Sequence, residues 1–395
     1  MLEILLFVAL GIILGVVMGL TPGVHPNMIV LAIPILVALS IETLPLLSFM
    51  VALGVTNSIV DFIPSIFFGA PKGGNELSVL PGHRMLMSGY GYQAVKLSVI
   101  GGVGATLIVT LLLPFLLIII PAVYSKIHHI IYLLLLSIVL LMVLTENGRN
   151  RIIAVFIFIL SGSIGLITNK IPLDNTLILF PIFSGFFGLS LLILQVRQKT
   201  QVPKQGRKEL YLSRKSTNRS IVFGSIGGVF SGFLPGVGSS EIATIATVEK
   251  NDKSFLVTIG ALTTANVILS ILSLWLISKP RSGLAIVINQ FANIGLNEVI
   301  FIALVAMVSV GISAVLTLKL AKYFLGIMER IKYIYLNVCV IVLIVVLTLI
   351  FTGLVGLLLL ILCTSLGIFT NLAGVKRGIL MGVLILPTML FYAGF

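Results

Sequence analysis

Two carboxylates stand inside long apolar stretches and have the strongest claim to chemistry in this sequence. Asp61 lies within the run Gly54 to Ser65, and Glu241 follows Pro235-Gly236-Val237-Gly238-Ser239-Ser240. A carboxylate is costly in hydrocarbon, so it marks a functional position by default. Asp61 can carry a coupling proton or help bind a sodium ion, with Thr56, Asn57 and Ser58 close to it on a helix. Glu241 has two readings: the same ion-coupling role, or a charge that favours a helix N-terminus. Glu42 and Glu298 fall at segment ends, where water reaches them.

The backbone offers a second chemistry. Thr21-Pro22-Gly23-Val24-His25-Pro26-Asn27 and Leu234-Pro235-Gly236-Val237-Gly238-Ser239-Ser240 each break a helix with proline and glycine. Each break follows a glycine ladder, Gly11/Gly15/Gly19 in one case and Gly224/Gly228/Gly232 in the other. A broken helix at membrane depth is tolerated where it is buried in protein or lines a watery cavity. The half-helix that starts there offers free N–H groups and a positive dipole end, which suit a carboxylate or phosphate. Thr21, His25, Asn27, Ser239 and Ser240 would add side-chain hydrogen bonds. The plainer reading is a pair of surface loops, weakened because the same break occurs twice. Lys72 and Arg281 form a matched pair of cations that serve either as gates and anion ligands or as loop charges.

No catalytic grouping stands out. His25, His83, His128 and His129 are scattered, and no nucleophile turn or Walker-type phosphate loop occurs. Cys339 and Cys363 lie in apolar runs without metal-ligand spacing. The chain therefore reads as a non-enzyme without an ATP engine, and the only cofactor in view is a sodium ion. An intramembrane enzyme or assembly scaffold is the weakest of the alternatives.

The elements that must position these groups follow from composition. Of 395 residues, 58% are apolar and 9% charged, with mean hydropathy +1.22. A spanning helix needs about 20 apolar residues, and runs of that kind recur without the alternation of a barrel. The fold class is all-α, a polytopic membrane protein in a lipid bilayer. Spans are predicted at 2–20, 24–41, 44–69, 91–120, 127–145, 151–168, 175–195, 221–234, 238–249, 255–278, 297–328, 333–350, 352–370 and 378–393. The net charge of +13 sits between the spans rather than on one face, which argues for positive-inside topology and against nucleic acid. Residues 196–220 carry eight basic residues against Glu209 and read as a flexible cytoplasmic linker between halves 1–195 and 221–395. Threading from that anchor puts twenty basic residues inside, four outside, and both termini outside. Lys126, Lys170, Lys279 and Arg281 are the outer four.

The two ladder-and-break motifs match at one offset. A second block, with Asn57 matching Asn266, Pro71 matching Pro280 and Lys72 matching Arg281, agrees at a slightly shorter one. Each half crosses an odd number of times, so the halves should be oppositely oriented. An inverted-topology repeat with broken or re-entrant helices at its Pro-Gly tips follows, with substrate near the midplane.

On the residues Gly15 to Asn27, Gly228 to Glu241, Asn57 and Asn266, the chain resembles the permease of the tripartite tricarboxylate transporter family, TctA. It is similar to a short, mainly archaeal branch, with His25-Pro26-Asn27 and Gly238-Ser239-Ser240 where the family more often carries glycine-rich sequence. The resemblance implies two inverted halves in the cytoplasmic membrane and import of a small organic anion on an ion gradient. It also implies a small membrane subunit and an extracytoplasmic binding protein as partners. The substrate site read from the two breaks and the repeat-matched pairs joins Thr21, Pro22, Gly23, Val24, His25, Asn27, Asn57, Lys72, Pro235, Gly236, Val237, Gly238, Ser239, Ser240, Asn266 and Arg281. A homodimer suits a carrier that moves against a fixed scaffold. The runner-up is a translocase for a polyprenyl-phosphate or other polar lipid, which the same helix N-termini would suit.

Overall fold

The computed structural model describes residues 2–21, 42–67, 79–173, 175–196, 203–206, 212–233, 242, 251–279, 281–291, 294–328 and 333–394. Every regular element among them is helical. In chain order these are α1 (Leu2–Leu20), α2 (Thr43–Val60), α3 (Phe62–Phe67), α4 (Val79–Met87), α5 (Gly91–Ile127), α6 (Ile131–Leu144), α7 (Asn150–Thr168) and α8 (Asn175–Phe183). A π-helical stretch, Ser184–Leu189, joins α8 to α9 (Ser190–Val196). Beyond the linker come α10 (Arg214–Phe233), α11 (Asp252–Ile277), α12 (Gly283–Phe291), α13 (Leu296–Met328), α14 (Tyr333–Leu372) and α15 (Gly382–Ala393). Eight helical spans among the described residues are long and apolar enough to cross a membrane. Their outer faces carry apolar side chains such as Leu111, Ile118 and Leu358 in the open, as lipid requires. The chain is a multi-pass membrane protein.

Most predicted spans coincide with helices, and the departures have physical reasons. α10 begins at Arg214, inside the stretch read as linker, because Arg214, Lys215 and Arg219 are tolerated on a helix end that reaches water. α4 and α12 are nine-residue helices that escape a search for span-length apolar runs. α14 is interrupted at Gly353, whose φ of 60° is open to glycine and strained for other residues. That break separates the two predicted spans, 333–350 and 352–370. The predicted segments 24–41 and 238–249, Ile242 excepted, lie outside the described residues.

Part of the linker is held rather than flexible. The Gly91 N–H donates to Gln205 Oε1 at 2.8 Å, and Gln205 Nε2 donates to the carbonyls of Pro203 (2.8 Å) and Leu86 (3.2 Å). The Gly206 N–H adds a bond to Gly89 O at 2.7 Å. Three of these four bonds, those to Gly91, Leu86 and Gly89, satisfy backbone groups left over where α4 stops and α5 starts.

Helices of the two halves interleave. α11 lies against α5 so closely that a Cβ at Gly101 would run into the Val257 carbonyl, and one at Gly260 into Ser98 O. α2 lies against α13, joined by a 2.7 Å hydrogen bond between the hydroxyls of Thr56 and Ser313. A second buried cluster mixes α6 and α7 with the far end of α14 and α15, through Leu135, Ile157, Cys363 and Ile385.

The ladder helices dock in one register. Gly11 faces Phe49 O and Ala52; Gly224 faces Thr258 O and Ala261. Gly15 faces Leu53 O and Thr56, as Gly228 faces Leu262 O and Ala265. Gly19 meets Val60, and Gly232 meets Leu269. Each partner in the second set follows its counterpart at the offset that relates Asn57 to Asn266. Small residues at four-residue spacing let helix backbones approach in lipid, where dispersion and close fit replace the hydrophobic effect.

Candidate transport site

α2 and α11 cross with their polar residues at the contact. Gly54 faces Val267, while Ser58 Oγ lies 3.4 Å from Thr264 Oγ1, so one chain advances as the other retreats. Asn57 and Asn266 therefore belong to this antiparallel crossing. Asn57 is 4% exposed, and its Nδ2 has no hydrogen-bond partner among the described residues. Asn266 is half-buried, with Oδ1 beside Gly232 at the end of the second ladder.

Asp61 is 3% exposed, at the junction of α2 and α3. The helical course continues through it, since its N–H donates to Asn57 O at 3.0 Å and its carbonyl accepts from the Ser65 N–H at 3.2 Å. The last glycine of the first ladder, Gly19, abuts Val60 and the Asp61 amide. The end of α1 thus comes to Asp61. Thr21 follows directly, and its hydroxyl donates to Val17 O at 2.7 Å within its own chain segment. Ser270, which matches Asp61 in the second half, donates to Val267 O and reaches Ser282 Oγ at 3.3 Å.

Arg281 is placed apart from Asp61. Its Nη2 donates to the Tyr124 hydroxyl at 2.8 Å, and its Cζ lies 5.7 Å from the Tyr124 ring centroid, a cation–π distance. Tyr124 stands near the last turn of α5. The first turn of that helix carries the linker at Gly91 and the Lys322 ammonium 5.2 Å over the Tyr92 ring. Arg281 and the basic linker therefore occupy opposite ends of α5.

At the linker end, Arg84 grips Asp252 through two bonds, 2.6 Å to Oδ1 and 3.2 Å to Oδ2. Beside this pair is a cavity of about 500 Å³, lined by Tyr90, Leu212, Asn251 and Lys253 among others. Thr264 lies twelve residues further along α11, about 18 Å at 1.5 Å per residue, so this cavity is separate from the crossing. Pro22, Gly23, Val24, His25, Asn27, Lys72, Pro235, Gly236, Val237, Gly238, Ser239, Ser240 and Glu241 lie outside the described residues.

Four contributors were missed by sequence reasoning: Thr264, Ser282, Ser313 and Tyr124. Ser313 had a signal, since Ser309, Ser313 and Thr317 recur every four residues in an otherwise apolar helix.

Helices long enough to span a bilayer, with buried polar groups where helices of different halves cross, define a polytopic membrane protein built like a solute carrier. The chain belongs to the TctA family: residues 5–382 match the "Tripartite tricarboxylate transporter TctA family". It is also 30% identical over 378 residues to an uncharacterized protein of Methanocaldococcus jannaschii, covering 90% of this chain and 92% of that one. No solved structure matches the chain. The family is one of transporter permeases, and that is the class of this protein.

Proposed function

We propose that this permease is an ion-coupled secondary transporter of a small organic anion, of the carboxylate class, in the cytoplasmic membrane. The observation that carries the reading is Asp61, a carboxylate 3% exposed within the spanning helix pair α2–α3, one turn from Asn57 and against the end of the glycine ladder. A charge is kept in such a place when ionisation or ion binding is its task. Asp61, with Glu241, would take the coupling sodium or proton. The two Pro-Gly breaks, with Asn57 and Asn266 nearby, would hold the anion between oppositely oriented halves. The shared docking register of α1 on α2 and α10 on α11, and the antiparallel crossing of α2 and α11, support that inverted repeat.

Arg281 would act as an outer cationic gate, at the far end of α5 from the linker. The linker would then be cytoplasmic and both termini outside. A small membrane subunit and an extracytoplasmic binding protein are the partners this family membership favours. The polar-lipid alternative draws no support from it.

The test is uptake of labelled di- and tricarboxylates by proteoliposomes under an imposed sodium or proton gradient. Gradient-driven accumulation of at least one, lost in Asp61→Asn with binding or exchange of the anion retained, is the expected result. Uphill uptake that survives in Asp61→Asn, or uptake of no carboxylate with or without a binding protein, would sink the proposal.

A further inference from the structure

The outward face of α5 is a stripe bounded by two other helices. Lys96, Ile100, Val103, Leu107 and Leu111 recur at three- and four-residue spacing along it. All five are half-buried or exposed, whereas Ala94, Ser98 and Ala105 on the opposite face are buried. On one flank stands α10, whose Ile221 side chain would meet a Cβ at Gly104. On the other stands α13, with the Lys322 ammonium over the Tyr92 ring. Around the helix, Gly104 and Tyr92 fall on opposite sides of the stripe. α5 is therefore the floor of a groove, and α10 and α13 are its walls. The walls are apolar where they open outward. Val222 of α10 and Val315 of α13 are exposed, and nothing lies within 4 Å of a Cβ placed on Gly311.

Positive charge collects at one end of this groove. Lys96 heads the floor one turn after Tyr92, Lys322 stands over Tyr92, and Lys215 is exposed in the first turn of α10. Ser216 Oγ lies 3.0 Å from Ser254 Oγ, two residues from the Asp252 that Arg84 holds. The start of α10 is thereby fixed at the linker end, where α5 also begins and α13 finishes. The described carboxylates do not offset these cations. Asp252 is taken by Arg84, Glu146 accepts the Lys376 N–H at 2.9 Å, and Asp61 is buried at the α2–α3 junction. Glu298 is at the far end of α13, and Glu3 and Glu42 open α1 and α2. Lys215 and Lys322 form no ion pair among the described residues. Topology accounts for basic residues at this end in general. It does not account for their gathering at the head of an apolar groove.

We propose that this groove holds one anionic phospholipid, its phosphate at Lys96, Lys215 and Lys322 and an acyl chain along Ile100, Val103, Leu107 and Leu111. The rise from Ile100 to Leu111 is about 16 Å at 1.5 Å per residue. Half of a hydrocarbon core about 30 Å thick is about 15 Å, so the stripe matches one leaflet. Each basic residue at headgroup level adds attraction for an anionic lipid, and lysine reaches that level on an aliphatic stem that packs along the apolar wall. A soluble phosphate would gain from the three charges and nothing from the stripe, which is why the occupant is a lipid. The inference is independent of which solute the permease carries.

The test is lipid binding to the purified full-length protein in neutral detergent, read by native mass spectrometry and by Tm. The probes are phosphatidylglycerol, phosphatidylcholine with the same chains, and soluble glycerol phosphate. Phosphatidylglycerol should stay bound and raise Tm, because a ligand of the folded state stabilises it; the other two should do so far less. In Lys96→Gln/Lys322→Gln the phosphatidylglycerol concentration for half the effect should rise roughly tenfold or more. Arg149→Gln/Lys204→Gln removes the same charge from exposed positions outside the groove and should leave that concentration near wild type. Equal weakening in the two double variants overturns the groove in favour of diffuse attraction. An equal response to phosphatidylcholine overturns the role of the lysines, and an equal response to glycerol phosphate overturns the lipid. Lys215→Gln against Lys204→Gln repeats the comparison with single exposed charges, so poor folding of the first variant still leaves the proposal open to refutation.

Discussion

Placing a methyl group on either glycine ladder should part its helix pair, and by similar amounts in the two halves. At Gly15 an added Cβ would sit 2.8 Å from both Leu53 O and Thr56 Cβ. At Gly228 it would press on Ala265 Cβ and lie 3.0 Å from Leu262 O. Ordinary contact starts near 3.4 Å, so the pairs must open by roughly half to one ångström over several residues, an overpacking cost of about 1–3 kcal/mol. The better helix propensity of alanine returns up to about 1 kcal/mol, leaving a net loss of about 1–2 kcal/mol. For a chain of 395 residues that corresponds to a fall of about 1–2.5 °C in Tm. The assay is thermal unfolding in detergent followed by the fluorescence of Trp275, the one tryptophan. Gly311→Ala is the control, because nothing lies within 4 Å of a Cβ there; it should be neutral or slightly stabilising. Equal shifts in all three variants would refute the close-approach argument. A silent Gly228→Ala beside a damaging Gly15→Ala would refute the equivalence of the two ladders.

Other predictions concern the linker end. Removing the Arg84–Asp252 pair with Arg84→Ala should cost under about 1 kcal/mol, since the side chains are 65% and 34% exposed and solvent screens them; Tm at low and high salt checks this. Gln205→Ala removes the two side-chain hydrogen bonds that tie the linker to Gly91 and Leu86, so trypsin should cut the linker several-fold faster, read by gel band timing. Burial holds the His83 imidazole below its ordinary value of 6.5, against an opposing hydrogen bond to the Ile66 backbone. The unfolded chain therefore takes up this proton first. The stabilisation is complete above pH 6.5 and is lost as pH falls from there toward the lower folded-state value. Tm measured from pH 8 to pH 5 should fall less steeply in His83→Gln; an identical slope would show that His83 is not the titrating group.

The spans were legible where apolar runs end in charge or in a helix breaker, as at Leu20 before Pro22 or at Thr168 before Asn169-Lys170. Asp61 was legible as a buried carboxylate because nothing around it in sequence could solvate it. Other features were hidden for definable reasons. α4 contains Pro81, Gly82, His83 and Arg84, a composition that looks like a loop, and Gly82 lets it lie close against Ile66. The hold on Gln205 depends on leftover donors at Gly91, far away in sequence. The Thr56–Ser313 bond joins residues 257 apart, and a hydroxyl on a membrane helix is by default expected to bond its own carbonyls.

Interleaving also bears on how the protein is made. Nearly every residue of the α2–α3 segment is buried, yet one of its walls is α13, which is translated some 230 residues later. At about 5–20 residues per second the nascent first half waits roughly 10–50 s for that wall. During this interval Asn57 and Asp61 sit in a helix already delivered to the bilayer, with lipid where Ser313 will later stand. Insertion machinery, or the first half's own temporary folding against itself, has to shelter them. Severed at the linker, the halves would have to be synthesised together to find one another.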